Sequence, residues 1–123
     1  MNTVATETKQ LILEYFYALS GHRKTERLID RYVSDPGLKQ HISTAEAAFP
    51  EYELIPDLIV SESDLVAARC TFRGVHKGQF AGIEPTGKAV SVNLMIFYRI
   101  SDGKIVEHWM QMDSHGLLDQ LAK

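Results

Sequence analysis

The sequence predicts one α+β domain over residues 1–123: helices over about 6–48, strands over about 52–112, and a short helix over about 114–121. Three observations carry this reading. Leu11, Ile12, Tyr15, Phe16 and Leu19 recur at helical spacing and draw one apolar stripe. The stretches 65–75, 89–100 and 104–112 alternate with the period of a strand. Asp102-Gly103 separates the last two, and this pair favours the positive φ angles of a tight hairpin.

In chain order, Thr6 or Thr8 is expected to cap the first helix and Gly21 to stop it. Thr25 is expected to cap a short second helix carrying Leu28, Ile29 and Tyr32 on one face. Asp35-Pro36-Gly37 reads as a turn, and a third helix follows from about Leu38 to Ala48. It stops before Phe49-Pro50, because proline disfavours helix in the residue ahead of it. The strands are Tyr52–Val60, Leu65–Val75, Ala89–Ile100 and Lys104–Met112, with Pro56 marking an edge or a bulge in the first. A helix containing Leu117, Leu118 and Leu121 begins near Ser114.

The last hairpin has two apolar faces. Val90, Val92, Leu94, Ile96, Tyr98 and Ile100 point one way on its first strand; Met95 and Phe97 point the other. On its second strand, Val106, His108, Met110 and Met112 oppose Ile105 and Trp109. A half-solvated antiparallel sheet shows polar residues outside. Met95, Phe97 and Trp109 therefore predict a covered outer face, most simply a homodimer through the sheet. The inner face, curled around the helix stripe, predicts an apolar pocket for a small molecule.

Composition excludes several classes. Hydrophobic residues make up 45% and charged residues 24%, as in ordinary globular chains. The net charge of −3, without basic blocks, argues against a nucleic-acid partner. No apolar run approaches the roughly 20 residues that span a bilayer, and the first residues do not read as a signal peptide. The lone Cys70 cannot pair within the chain and suits a reducing, cytoplasmic setting. The five histidines fall at no metal-ligand spacing, so neither metal nor cofactor is expected. No serine sits in a nucleophile elbow, and Cys70 in mid-strand reads as packing.

Proton abstraction beside a carbonyl needs a base and a donor for the enolate oxygen. The inner face offers His108 as base and Tyr98 as donor, with Tyr15, Leu94, Ile96, Met110 and Met112 as ligand-binding wall. The plainer reading of His108 is a pocket-wall or core histidine hydrogen-bonded to a neighbour. Asp113 reads as the cap of the last helix or as a site carboxylate. His76 belongs to loop architecture or to the pocket mouth. Arg69 and Arg73 share a face and bind a carboxylate or simply face solvent or a dimer rim.

One long pattern goes further. Gly74-x-His76-x-Gly78-x-Phe80-x-Gly82-Ile83-x-Pro85-Thr86-Gly87-Lys88 is followed by Phe97-x-Arg99-Ile100-x-Asp102-Gly103-Lys104-Ile105-x-Glu107-His108-Trp109. Then comes Asp113-x-x-Gly116-Leu117-Leu118-x-Gln120-Leu121. This order and spacing resembles the SnoaL-like polyketide cyclases, or ester cyclases, of the nuclear-transport-factor-2-like superfamily. The match is close over about the last fifty residues and looser over the helical half, through Ala48-Phe49-Pro50 and Asp57-Leu-Ile-Val60. The resemblance implies a cone-shaped α+β barrel, a curved antiparallel sheet around the N-terminal helices and an interior pocket, dimeric through the sheet. It also implies aldol ring closure by a strand Asp assisted by a His and an Asn. The Asp position is Met110 here and the His position is Ile96; a loop bearing the Asn is shortened near Asp35–Leu38. Two functions follow as expectations. One is a cyclase, isomerase or hydratase working on an apolar carbonyl compound through His108 and Tyr98. The other is a non-catalytic binder of an apolar metabolite.

Overall fold

Four helices and four strands build the chain in the computed structural model, which describes residues 3–122 and side chains from residue 6 onward. The helices are α1 (Thr3–Leu19), α2 (Glu26–Tyr32), α3 (Pro36–Ala48) and α4 (Ser114–Ala122). The strands are β1 (Glu53–Glu62), β2 (Leu65–Val75), β3 (Ala89–Ser101) and β4 (Lys104–Met112). They form one antiparallel sheet in the order β1-β2-β3-β4, a meander whose every connection joins neighbours. The sheet is an open, curved one rather than a closed barrel, and the fold is α+β with α1 against β1 and β2.

Alternation explains the layering. Along β3 every second residue from Val90 to Ile100 is buried, and the residues between face outward. The α1 stripe of Ile12, Tyr15, Phe16 and Leu19 is fully enclosed against this inner face. Tyr15 and Phe16 each set an edge against the Tyr98 ring, with centroids 5.8 and 5.9 Å apart.

The helix ends follow local chemistry. Thr25 caps α2 by accepting the Leu28 N–H, and Asp113 Oδ1 accepts the Gly116 N–H at 2.9 Å at the start of α4. Gly21 holds a φ of +73° just past α1. The expected caps Thr6 and Thr8 lie instead inside α1, which starts at Thr3; Thr8 Oγ1 donates to the Ser63 carbonyl, a tertiary tie. Asp35-Pro36-Gly37 is not a free turn: Asp35 caps α3 and Pro36 opens it, where a missing N–H costs nothing.

Two bulges shape the sheet. One falls between Pro56 and Leu58 on β1, as the proline suggested. The other lies at Arg99–Ile100, where Arg99 pairs with Glu107 and Ile100 with Ile105. This extra residue turns Ile105 inward, where it is wholly buried; strict alternation had placed it outside beside Trp109.

The loop from His76 to Lys88 is pinned at its base. His76 is buried; its Nδ1 accepts the Thr86 N–H, and its backbone N–H donates to the Lys88 carbonyl. Its role is loop architecture. Gly78 packs so closely on α3 that a Cβ there would lie 2.0 Å from the Ala47 carbonyl oxygen. Gly78→Ala is expected to destabilise the protein by about 2 kcal/mol, because backbone on both sides must move. Thermal denaturation reads this; an unchanged melting temperature would contradict the packing.

Candidate functional site

The site begins at a corner between helices. Past α2, the Ser34 and Asp35 N–H groups both donate to the Ile105 carbonyl, at 2.9 and 3.2 Å. Val33 forms a parallel bridge to Ile105. The inward bulge of β4 thus holds the helical corner against the strand. The clamp aims the Asp35 carboxylate at His108, three residues along β4.

His108 Nδ1 lies 2.6 Å from Asp35 Oδ2, and both side chains are largely buried. Asp35 Oδ1 accepts the Gly37 N–H at 2.9 Å, so both carboxylate oxygens are engaged. Burial pushes the Asp35 carboxyl up; hydrogen bonds from His108 and Gly37 outweigh this and hold it below its ordinary value. An ionised Asp35 fixes the proton of the neutral ring on Nδ1 and leaves the Nε2 lone pair available. The His41 ring stands edge-on to His108, with centroids 5.3 Å apart.

Beside this pair opens a cavity of about 610 Å³ between α1, α3 and the sheet. Tyr15, Leu94, Tyr98, Met110 and Met112 line it, and His41 stands in its wall. Ile96 is buried in the core and is not part of the lining; His108 is not part of it either, and its ring touches that of the lining residue His41. None of the described lining residues carries an Asp, Glu, Lys or Arg side chain. Tyr98 and His108 are direct cross-strand partners, so their side chains share the inner face.

The remaining sequence candidates fall elsewhere. Asp113 serves its helix. Arg69 and Arg73 are exposed on the outer face. Cys70 is buried, and burial first, then Asp57, pushes its thiol up to about 12, which keeps it an inert thiol. Among the described residues, no three His, Cys, Asp or Glu side chains converge on a metal-sized site. Among the described residues, no helix is long and apolar enough to cross a membrane.

Asp35 and His41 were not singled out by sequence reasoning. Asp-Pro-Gly is a common turn triplet, and nothing in one dimension joins residue 35 to residue 108. The readable signal was Asp followed by Pro, which also marks a helix cap and first helical position.

A cavity enclosed by helices and a curved antiparallel sheet, with polar groups at its rim, defines a small-molecule-binding α+β protein of the nuclear-transport-factor-2-like fold. Residues 1–121 match the SnoaL-like polyketide cyclase profile, and the chain belongs to that family. Among solved structures, it is similar to AclR from Streptomyces galilaeus, described as a candidate hydroxylase. The identity is 31% and the TM-score 0.82, covering 96% of this chain and 82% of that one. TsrD from Streptomyces laurentii matches at 29% identity and TM-score 0.74, over 94% of this chain and 95% of that one. IdmH from Streptomyces antibioticus, a candidate polyketide cyclase, matches at 24% and 0.77, over 95% and 99%. Among curated proteins none matches.

The Asp35–His108 link has a pH signature. With its pKa held below the ordinary 3.8 in the folded state, Asp35 contributes stability that is fully present above the unfolded value. That contribution is lost as pH falls through the folded pKa. Asn also caps helices, so Asp35→Asn removes the charge while keeping the cap. Chemical denaturation across pH is expected to show wild type more stable at neutrality and the gap closing in acid below 3.8. A gap that stays constant with pH would refute the ionised pair.

Proposed function

We propose that this chain is an acid–base enzyme acting on an apolar carbonyl compound by cyclisation, isomerisation or hydration, without a cofactor. The observation that carries the reading is the 2.6 Å contact between His108 Nδ1 and Asp35 Oδ2 beside an uncharged cavity. Asp35 holds the imidazole in the tautomer whose Nε2 accepts a proton, and stabilises the imidazolium that forms. Nε2 takes a proton from the carbon next to the carbonyl, and the electron pair moves onto the carbonyl oxygen. Tyr98, across the strand pair from His108, donates to that oxygen. Return of the proton from His108 at another atom completes an isomerisation; alternatively the enolate carbon attacks a second carbonyl, whose π bond breaks to an alkoxide that takes the proton from His108 as the ring closes.

His108→Ala is expected to lower turnover about 10²- to 10⁴-fold. Asp35→Asn, which leaves a ring partner that no longer enforces the tautomer, is expected to follow it in direction. Single-turnover assays against a panel of apolar ketones and esters read this. Equal activity of wild type and His108→Ala would remove His108 from the chemistry.

A second reading, a non-catalytic binder of an apolar metabolite, is favoured by Met110 and Ile96 at the positions where the family resemblance implies an acid and a base. Relatives named for hydroxylation and for cyclisation share this fold, so fold alone does not choose the reaction. A ligand bound tightly with no turnover in wild type would decide for the binder.

The working unit we infer is a homodimer through the outer sheet face. Val60, Ala67, Phe97 and Trp109 align in register across all four strands, and Leu58 and Met95 flank them. Phe97 and Trp109 are each about half exposed, at 50% and 49%, and Met95 more so at 59%. An apolar row of this length on a sheet is what a second copy would cover. Sedimentation is expected to give a dimer for wild type and a monomer for Phe97→Glu; a monomeric wild type at high concentration would end this proposal.

A further inference from the structure

The innermost wall of the cavity holds a polar group with nothing to bind. Tyr98 is wholly buried, and its Oη has no hydrogen-bond partner. Tyr15, 1% exposed, reaches the same space from α1 and lines the same cavity. The two rings meet edge to face, with centroids 5.8 Å apart. Tyr32 and Phe16 brace them, at 5.9 Å from Tyr15 and Tyr98 respectively. The hydroxyls are near enough to influence each other's ionisation, but Tyr98 makes no bond of acceptable geometry to Tyr15.

Counting protons makes the point stronger. Two hydroxyls carry two protons, and one bond between them consumes one. Whichever way the pair relaxes, at most one bond joins the two, and one O–H is left to find its acceptor in the cavity. Leaving a donor buried and unpaired costs on the order of 1–3 kcal/mol. A buried surplus donor in the wall of a cavity is therefore a place where a ligand supplies the missing acceptor.

We propose that Tyr15 and Tyr98 form the oxygen-binding end of this cavity, specific for a neutral carbonyl or ether oxygen and closed to carboxylates. The uncharged lining supports the second half. A carboxylate entering would lose its hydration, and no Lys or Arg among the described lining residues would replace it. Burial raises both tyrosine hydroxyls well above their ordinary value, so both stay protonated and act as donors at any working pH. Because Tyr98 faces His108 across the strands, an oxygen held here directs the neighbouring carbon toward the histidines. This names the substrate class of the site proposed above, and rests on that reading only for what happens at that carbon.

The test is a binding ladder on the full chain, read by calorimetry without any turnover. The probes are 2-acetylnaphthalene, 2-ethylnaphthalene and 2-naphthoate, which share a ring system and differ in the oxygen. Wild type is expected to bind the ketone about five- to tenfold more tightly than the hydrocarbon, the worth of one neutral hydrogen bond. It is expected to bind the carboxylate at least about tenfold more weakly than the ketone. The double variant Tyr15→Phe/Tyr98→Phe is expected to bind ketone and hydrocarbon equally. The single variant Tyr98→Phe, ligand-free, is expected to melt no lower than wild type, since the lost hydroxyl had no partner.

A wild type that fails to bind the ketone, or that binds ketone and hydrocarbon alike, overturns the proposal. So does a carboxylate bound as tightly as the ketone, or a preference that survives in the double variant. If the double variant does not fold, the wild-type ladder and the Tyr98→Phe melt still decide. Absence of turnover would leave this ladder standing, and a failed ladder would leave the His108 assay as it was.

Discussion

The carbonyl of Ile105 is the constraint on which the site depends. It accepts two N–H groups from the corner between α2 and α3, and so ties a helical layer to an edge strand. It can do so because the bulge at Arg99–Ile100 rotates β4 and sends the Ile105 side chain into the core. The buried side chain anchors the strand from within while its carbonyl receives the corner. Asp35 then has little freedom: its backbone is held at Ile105, its Oδ1 at Gly37 and its Oδ2 at His108. A single carboxylate caps a helix and orients an imidazole, and each task makes the other geometrically sharper.

The cavity shows where polarity is placed. Its exposed lining residues include His41, Gln40, Thr44 and Gln111. Its interior carries Tyr15, Tyr52 and Tyr98, whose bodies count as core and whose hydroxyls do not. Burial raises the pKa of all three, so the interior offers donors without charge. Methionines at 110 and 112 complete the wall with side chains that adapt to ligand shape. The result is a cavity whose interior donors carry no charge and whose wall adapts to what fills it.

Much of this was readable in one dimension, and the limits are physical. Period-2 alternation gave β2 and β4 their bounds and placed β3 correctly face by face, because each residue's side is fixed by its neighbour. Alternation failed at Ile105, where one extra residue reverses the phase and leaves no mark in composition. Tyr98, Met110 and Met112 were placed on the cavity side by the same rule, whereas Ile96 obeys it and is buried in the core away from the cavity. Asp35 was invisible as a partner of His108. Their 73-residue separation is closed by a backbone clamp, and backbone carbonyls have no sequence signature.

The substitution at the family's acid position has a consequence for which group can move a proton. A carboxylate at position 110 would stand in a lining without a cation, and burial there would raise its pKa until it served as an acid. This chain has Met110 there and keeps its carboxylate at residue 35 instead, where His108 and the Gly37 N–H hold it ionised. An Asp whose pKa is depressed is a poor proton donor near neutrality and, with both oxygens engaged, a poor proton acceptor. Its competence is to orient. In the proposed mechanism, proton transfer therefore falls to imidazole, with His108 hydrogen-bonded to Asp35 and His41 beside it. Under that proposal a histidine takes over from the strand carboxylate, and the tyrosine-lined interior is left to choose the ligand.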